Sequence, residues 1–373
     1  VTDSQIIVLA TPVFFALIGL EWAVGRLRGR DTYRLNDALN SIGLGVLSQV
    51  IALFTKLAML GIYTAVYERF APWRLPADAP WIWAAALLAY DFCYYWLHRL
   101  GHTVALLWAA HVVHHQSEDY NLSTALRQTG SGWLLSWLFY LPLALAGVPP
   151  LVFVGVGLID LLYQFWVHTQ QIGKLGWFDR WFCSPSNHRV HHAVNDRYLD
   201  RNFGGILIVW DRLFGTFVEE DEAEPCVYGS RAPLRSWDPL RANLQVYVHL
   251  VRASRQARTG RDKLRVWLRP PGWRPPEVAA RAPLPAFDLA AVQRFDPPMA
   301  PSRRLGATAL FAVLLALTSW LLWTEHEMSA PARLALGAAI LLGLWLVGWL
   351  SRGDPGADRL AHAAGRRYRT TGS

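Results

Sequence analysis

The sequence predicts an all-α integral membrane protein, a multi-pass helical bundle carrying a histidine-rich, two-metal cap on its cytoplasmic side. Three observations predict it. Of 373 residues, 53% are hydrophobic and only 17% charged, with 19 tryptophans and a mean hydropathy of +0.18, the balance of a membrane protein with a sizeable polar part. Several apolar runs approach the roughly 20 residues a helix needs to cross a bilayer. Histidines collect in three clusters: His98 with His102, then His111 with His114 and His115, then His188 with His191 and His192.

The first apolar run covers about 6–24, with Glu21 near its end, and Arg26, Arg28, Arg30 and Arg34 follow it. A second covers 42–66. A third, 81–97, stops at His98. The next polar stretch holds the first two clusters and reaches about Gly130. Residues 133–146 and 151–167 read as a helical hairpin turned at Gly147-Val148-Pro149-Pro150, its second arm ending at His168. From 169 to 304 the chain is mixed and polar. Arg252, Arg255, Arg258, Arg261, Arg265 and Arg269 crowd one part of it, and three Pro-Pro pairs mark irregular linker. Two last spans, 305–323 and 332–350, flank the acidic turn Thr324-Glu325-His326-Glu327, and the tail is basic. The chain thus divides into N-terminal spans (1–80), a histidine-bearing catalytic unit (81–222), an Arg/Pro-rich polar region (223–304) and a C-terminal pair with its tail (305–373).

Cytoplasmic loops carry an excess of Lys and Arg. Placing every arginine-rich loop inside gives seven passes, N-terminus out and C-terminus in, with all histidine clusters at the cytoplasmic surface. The net charge of +8 and pI of about 9.6 are absorbed by this bias, so no nucleic-acid partner is implied. The arginine run at 252–269 is expected to face anionic lipid. Cys93, Cys183 and Cys226 have no C-x-x-C spacing, which argues against a disulfide framework or zinc ribbon. The apolar run at the start lacks a basic preface, so it is not read as a standard signal peptide. The Arg- and Ala-rich composition points to a GC-rich bacterium and so to its inner membrane.

The chemistry follows from spacing. On a helix, residues three and four apart share a face. His98 and His102 can therefore meet one ion, as can His111 with His114 or His115, and His188 with His191 or His192. Neutral imidazole ligates iron, zinc, copper and nickel. Eight imidazoles exceed one four-ligand site, which points to two neighbouring metals. Asp91, Tyr95, His98 and His102 form one helical stripe. Asp91 is an acid inside an apolar run, where acids are costly and functional, and is expected to accept the second N–H of a metal-bound imidazole. Asp160, Gln164 and His168 make a second stripe, with His168 as a ninth ligand. His249, His326 and His362 lack partner histidines and read as ordinary.

The motifs Asp91-Phe92-Cys93-Tyr94-Tyr95-Trp96-Leu97-His98-Arg99, His114-His115-Gln116-Ser117-Glu118-Asp119-Tyr120-Asn121, Gln164-Phe165-Trp166-Val167-His168-Thr169 and Pro185-Ser186-Asn187-His188-Arg189-Val190-His191-His192, with Asn202-Phe203-Gly204-Gly205 and the segment from Trp210 to Phe217, carry a resemblance. In this order the chain resembles the fatty acid hydroxylase and sterol desaturase superfamily, and within it the alkylglycerol monooxygenase branch, over about 80–220. The resemblance implies a histidine-bound di-iron centre, O2 as co-substrate and a lipid substrate, whether ether lipid, fatty acyl or sterol-like, that is hydroxylated or desaturated. It adds Glu118 and Asp119 to the candidate supporting residues. It implies tetrahydrobiopterin as a possible cofactor, although no pterin pocket is readable in these residues. Thr103 and Gln170 depart from the branch, standing where it often has glutamate. No flavin or haem module is visible, so a separate electron donor is expected.

Two other classes stay open. A membrane zinc hydrolase wants H-E-x-x-H with a glutamate base, which no cluster contains. A non-catalytic metal-binding or transport protein wants charges through several spans, and only Asp91 and Asp160 sit deep.

Overall fold

The computed structural model describes residues 3–281, 283–284 and 286–353, and all regular structure among them is helical. The chain opens with α1 (Asp3–Leu27), α2 (Leu35–Phe70) and α3 (Pro80–Thr103), the last carrying His98 and His102 near its end. The cap begins with α4 (Ala105–His115) and α5 (Leu122–Ala125). A hairpin follows: a 3-10 turn (Gly132–Leu134), α6 (Trp137–Leu145) and α7 (Pro150–Trp166). The second part of the cap holds α8 (Phe178–Trp181), α9 (Pro185–His192), α10 (Val209–Leu213), α11 (Pro239–Gln256), α12 (Gly260–Leu268) and α13 (Pro276–Arg281). A 3-10 turn (Leu289–Ala291), α14 (Pro301–Thr324) and α15 (Ala330–Leu350) complete the described chain. Proline opens α3, α7, α9, α11 and α14, where its missing N–H costs nothing.

The 36 residues of α2 make a helix of about 54 Å that belongs to two apolar cores. Leu39, Val46, Leu47 and Val50 pack with Phe311 and Leu314 of α14 and Ile340 and Leu344 of α15, with α1 alongside. Further on, Tyr63 joins Ile82 and Ala86 of α3, Tyr140 and Leu143 of α6, and Val152 and Val156 of α7. The two ends of the first core differ. At one, Lys56, Ser4 and Glu325 of the α14–α15 turn hydrogen-bond together. At the other, Arg34 grips Asp119 of the cap, and Arg352 meets Asp238. All three histidine clusters belong to this second end.

Among the described residues four helices, α1, α2, α14 and α15, are long and apolar enough to cross a membrane, fewer than the seven expected spans. The first arm of the expected hairpin falls furthest short. Its helix has nine residues with Pro142 inside, about 14 Å against a hydrocarbon core of about 30 Å. The expected arm starts at 133, but a 3-10 turn (Gly132–Leu134) stands there and regular helix begins only at Trp137. The second arm, α7, is a 17-residue apolar helix. It pairs with the 24-residue α3, and both end at the histidines. The basic tail from 354 onward, with His362, lies outside the described residues.

Candidate metal centre

Helical geometry sorts the histidines into two groups that cut across the sequence clusters. His98 and His102 are one turn apart on α3, facing inward on the same buried stripe as Asp91 and Tyr95. On α4, His111 and His115 share a face while His114 points about 100° away; on α9, His188 and His192 share a face and His191 diverges. Five imidazoles, from His98, His102, His111, His115 and His191, form one group. His114, His168, His188 and His192 form the other. Within each group the ligand atoms lie within 4.8 Å of one another, and the ring centroids of His115 and His192 bring the groups to 4.3 Å. Of the pairings that spacing left open, the i, i+4 choice holds in both H-x-x-H-H runs. His168, just past α7, completes the four-histidine group.

The hydrogen bonds fix which nitrogen carries the proton. Nδ1 of His98 donates to the Phe203 carbonyl at 2.8 Å, His114 to Arg127 at 2.9 Å, His168 to Gln164 at 2.7 Å and His191 to Arg201 at 3.0 Å. A carbonyl oxygen only accepts, so in each neutral ring Nε2 is a bare lone pair. Yet Nε2 of His114 and His168 face each other at 3.1 Å. Nε2 of His115 lies 3.1–3.2 Å from those of His102, His111 and His191, and His188 lies 3.1 Å from His168. Nε2 of His98 and His192 are buried with no hydrogen-bond partner among the described residues. Lone pairs this close repel unless a cation lies between them. Metal–imidazole bonds of about 2.0–2.1 Å at angles of about 90–110° place neighbouring nitrogens about 3.0–3.4 Å apart. The residues therefore fit metal ions, and an all-imidazole set suits iron, zinc, copper or nickel. Burial, reinforced by neighbouring imidazoles, holds His111, His115, His188, His191 and His192 well below the usual histidine range, and burial lowers His114 to about 4. All are neutral at pH 7, the form that ligates.

The carbonyls come from a loop shaped for the purpose. Asp200 and Asn202 both adopt φ 55°, a left-handed conformation that Asp and Asn tolerate better than other side-chain-bearing residues. The turn presents Arg201 and Phe203 carbonyls to two rings, and Asp200 Oδ1 accepts from His102 Nδ1 at 3.1 Å. Asp211 anchors the loop by accepting from Phe203 and Gly204 N–H and from Thr216. Gly205 is required here, because a Cβ would come within 3.0 Å of a Tyr94 ring carbon, Asp160 Oδ1 and Asp91 Oδ1.

The expected supporting residues are placed differently from their anticipated roles. Asp91 hydrogen-bonds no imidazole among the described residues; it accepts from Ile206 N, Leu207 N and Trp210 Nε1 and so fixes the loop that carries the Phe203 carbonyl. The carboxylate–imidazole contact anticipated for it is made by Asp200 instead. Tyr95 bonds Thr216 and receives Arg99. Gln164 meets His168 through its backbone carbonyl, while its side chain links Tyr94 to Asp160. Glu118 and Asp119 follow His115 in sequence but turn away to Arg34 and the Phe295 backbone. Sequence reasoning missed Asp200, Asp211 and the fully buried Arg127, whose Nε donates to the Val113 carbonyl and whose own carbonyl serves His114. The Asp200-Arg201-Asn202 run just past the third cluster was the available signal for the first.

A cavity of about 530 Å³ opens at His98, His111, His114 and His168 and continues among apolar side chains of α1, α7 and α14, such as Phe14, Leu162 and Leu315. This volume is in the range of small-molecule sites.

The fatty acid hydroxylase family model matches residues 83–216, spanning all the clustered histidines. Human alkylglycerol monooxygenase is 38% identical over 345 residues, 91% of this chain and 76% of the relative. The Danio rerio alkylglycerol monooxygenase is 37% identical with the same coverage. An ornithine lipid hydroxylase of Rhizobium tropici is 31% identical over 136 residues, 35% of this chain and 40% of the relative. No solved structure matches.

Proposed function

This chain belongs to the fatty acid hydroxylase family, within its alkylglycerol monooxygenase branch, and from that premise we propose that it hydroxylates a lipid C–H bond with O2 at a two-iron centre. Family and relatives together support an integral membrane lipid hydroxylase, an oxidoreductase that uses metal. The observation that carries the finer reading is the convergence of imidazole Nε2 atoms at 3.1–3.2 Å in two adjoining groups, with the bare Nε2 atoms of His114 and His168 face to face.

His98, His102, His111, His115 and His191 would hold one ion and His114, His168, His188 and His192 the other. The irons would supply O2 activation. The protein's part is to keep His98, His102, His114, His168 and His191 in the Nδ1–H tautomer through the Phe203, Arg127, Gln164 and Arg201 carbonyls and Asp200. The apolar cavity orients an alkyl chain and keeps bulk water from the histidines. A lipid reaches it laterally from the bilayer. One oxygen atom enters the product and the other leaves as water, so two electrons and two protons come from a separate reductant. An alkylglycerol is the first substrate to try, given the relatives' names, and tetrahydrobiopterin is one reductant to test beside protein donors.

The test combines elemental analysis of gently purified protein with turnover under ¹⁸O2. Two irons per chain and a labelled hydroxyl support the reading. At most one metal after reconstitution sinks the two-metal part, and zinc with no oxygen incorporation turns it to a hydrolytic or non-catalytic metal protein. The cytoplasmic placement has its own test: a cysteine beside Glu325 should label from outside with an impermeant reagent, and one beside Arg258 should not. Labelling of Arg258 from outside inverts the orientation.

A further inference from the structure

The metal reading leaves α11 and α12 unused. Both are amphipathic in an unusual way, since each buries one apolar edge and exposes another. Ala242 and Leu250 of α11 and Val266 of α12 are buried, the last two against Ala105 and Ala109 of α4. On the outside, Leu240, Leu244 and Val248 follow one another at i, i+4, i+8 with exposures of 53%, 52% and 41%, and Leu264 and Leu268 repeat the pattern on α12 at 60% and 53%. Helical geometry puts Arg241, Arg252 and Arg255 beside the α11 stripe. Residues 239–269 contain eight basic side chains and one acid, Asp262, which pairs with Arg265. Among the described residues Arg241, Arg252, Arg255 and Arg261 form no ion pair and are exposed.

The membrane helices fix where this surface lies. Trp237, just before α11, packs on Gly348 near the end of the candidate span α15, and Arg352 meets Asp238 there. Along α11, Asn243 Oδ1 accepts from Gly130 N and Tyr247 hydroxyl bonds Ser131. The chain beyond exposes Trp133, Leu134 and Leu138, so the apolar stripe continues into the apolar hairpin. Tyr247 and Ser131 also line the cavity.

We infer that α11 and α12 form an interfacial collar that binds anionic phospholipid: leucines enter the acyl boundary, arginines hold lipid phosphates, and Tyr247 marks one side of the cavity mouth. An exposed leucine stripe alone would fit a second protein equally well. Its flanking uncompensated arginines and its continuity with membrane-spanning elements select a lipid surface with negative charge.

The experiment uses the full chain in nanodiscs of phosphatidylcholine, with and without phosphatidylglycerol. With Cys93 and Cys226 replaced by serine, an environment-sensitive NBD probe is placed by Leu244→Cys or Leu264→Cys, and by Glu222→Cys as a water-exposed control. At 244 and 264, blue-shifted emission and quenching by doxyl-labelled lipid are expected, stronger with phosphatidylglycerol and weakened by salt, with the control unquenched. Each of Arg241→Gln, Arg252→Gln and Arg255→Gln should cut the phosphatidylglycerol preference about fivefold at low salt. A probe at 244 as solvent-exposed as the control, in both lipids, overturns the inference. So does self-quenching between copies without lipid quenching, which would make the stripe a contact between chains. None of these readouts requires turnover, so the result stands apart from the fate of the hydroxylase reading.

Discussion

The two histidine groups are built from the same sequence motifs but supported differently. Each His-His pair is split between them, since adjacent residues on a helix point about 100° apart. The four-histidine group leans on helices and their ends: His168 donates to a carbonyl one turn back on its own chain, and His114 to Arg127 just past α5. The five-histidine group leans on a loop, with His98, His102 and His191 all oriented by residues 200–203. That loop keeps two non-glycine residues at positive φ and is pinned by Asp91 and Asp211. Its geometry is therefore the one that distant substitutions can disturb.

The largest expected effect breaks one group at a time. His115→Ala removes the nitrogen central to the five-histidine group, and His168→Ala the one central to the other. Each should abolish turnover and lower metal content from about two ions to about one by elemental analysis. If either variant loses both ions, the groups are not separable and the comparison fails.

Next comes the loop anchor. Asp91→Ala strands three donors in a buried site and should cost about 3 kcal/mol or more. A depressed Tm with metal lost first from the five-histidine group supports the division, and equal loss from both contradicts it. Asp200→Asn is gentler, because it weakens the orientation of His102 alone. Metal affinity of the five-histidine group should fall about 10–100-fold, with the other unchanged, in a chelator competition.

Acid should act on both groups in the metal-free protein. His114 is held at about 4 against an ordinary value of 6.5, so the unfolded chain binds the proton first. The stability is whole above 6.5 and is lost as pH falls from there toward 4. A Tm that does not drop between pH 7 and pH 5 would show that these rings are already protonated in the fold. Smallest of all, His326→Ala touches an exposed ring beside Glu327, far from either group, and should leave metal content and turnover unchanged.

The helical membrane character was legible because it needs only composition and run length. So were the eight clustered histidines and His168 at the end of its own polar stripe, since i, i+4 spacing declares a shared face wherever the helix later sits. The span count was not, because a run of apolar residues does not show where the helix stops: over 133–146 only Trp137–Leu145 is α-helical. Nor were the supporting roles. Asp91 lies on the His98 stripe, but two turns separate them, and its carboxylate accepts three donors from the loop at 206–210 instead.

What the sequence determined alone was therefore local: helix, face and ligand type, each set by chemistry within a few residues. Only the tertiary structure decided which histidine joins which group, since that depends on how α3, α4, α7 and α9 are docked. It also decided who orients the rings. Backbone carbonyls carry no residue identity, so the acceptors at Arg127, Gln164, Arg201 and Phe203 could not be read from side chains, and they emerge only when the loop is folded against the helices.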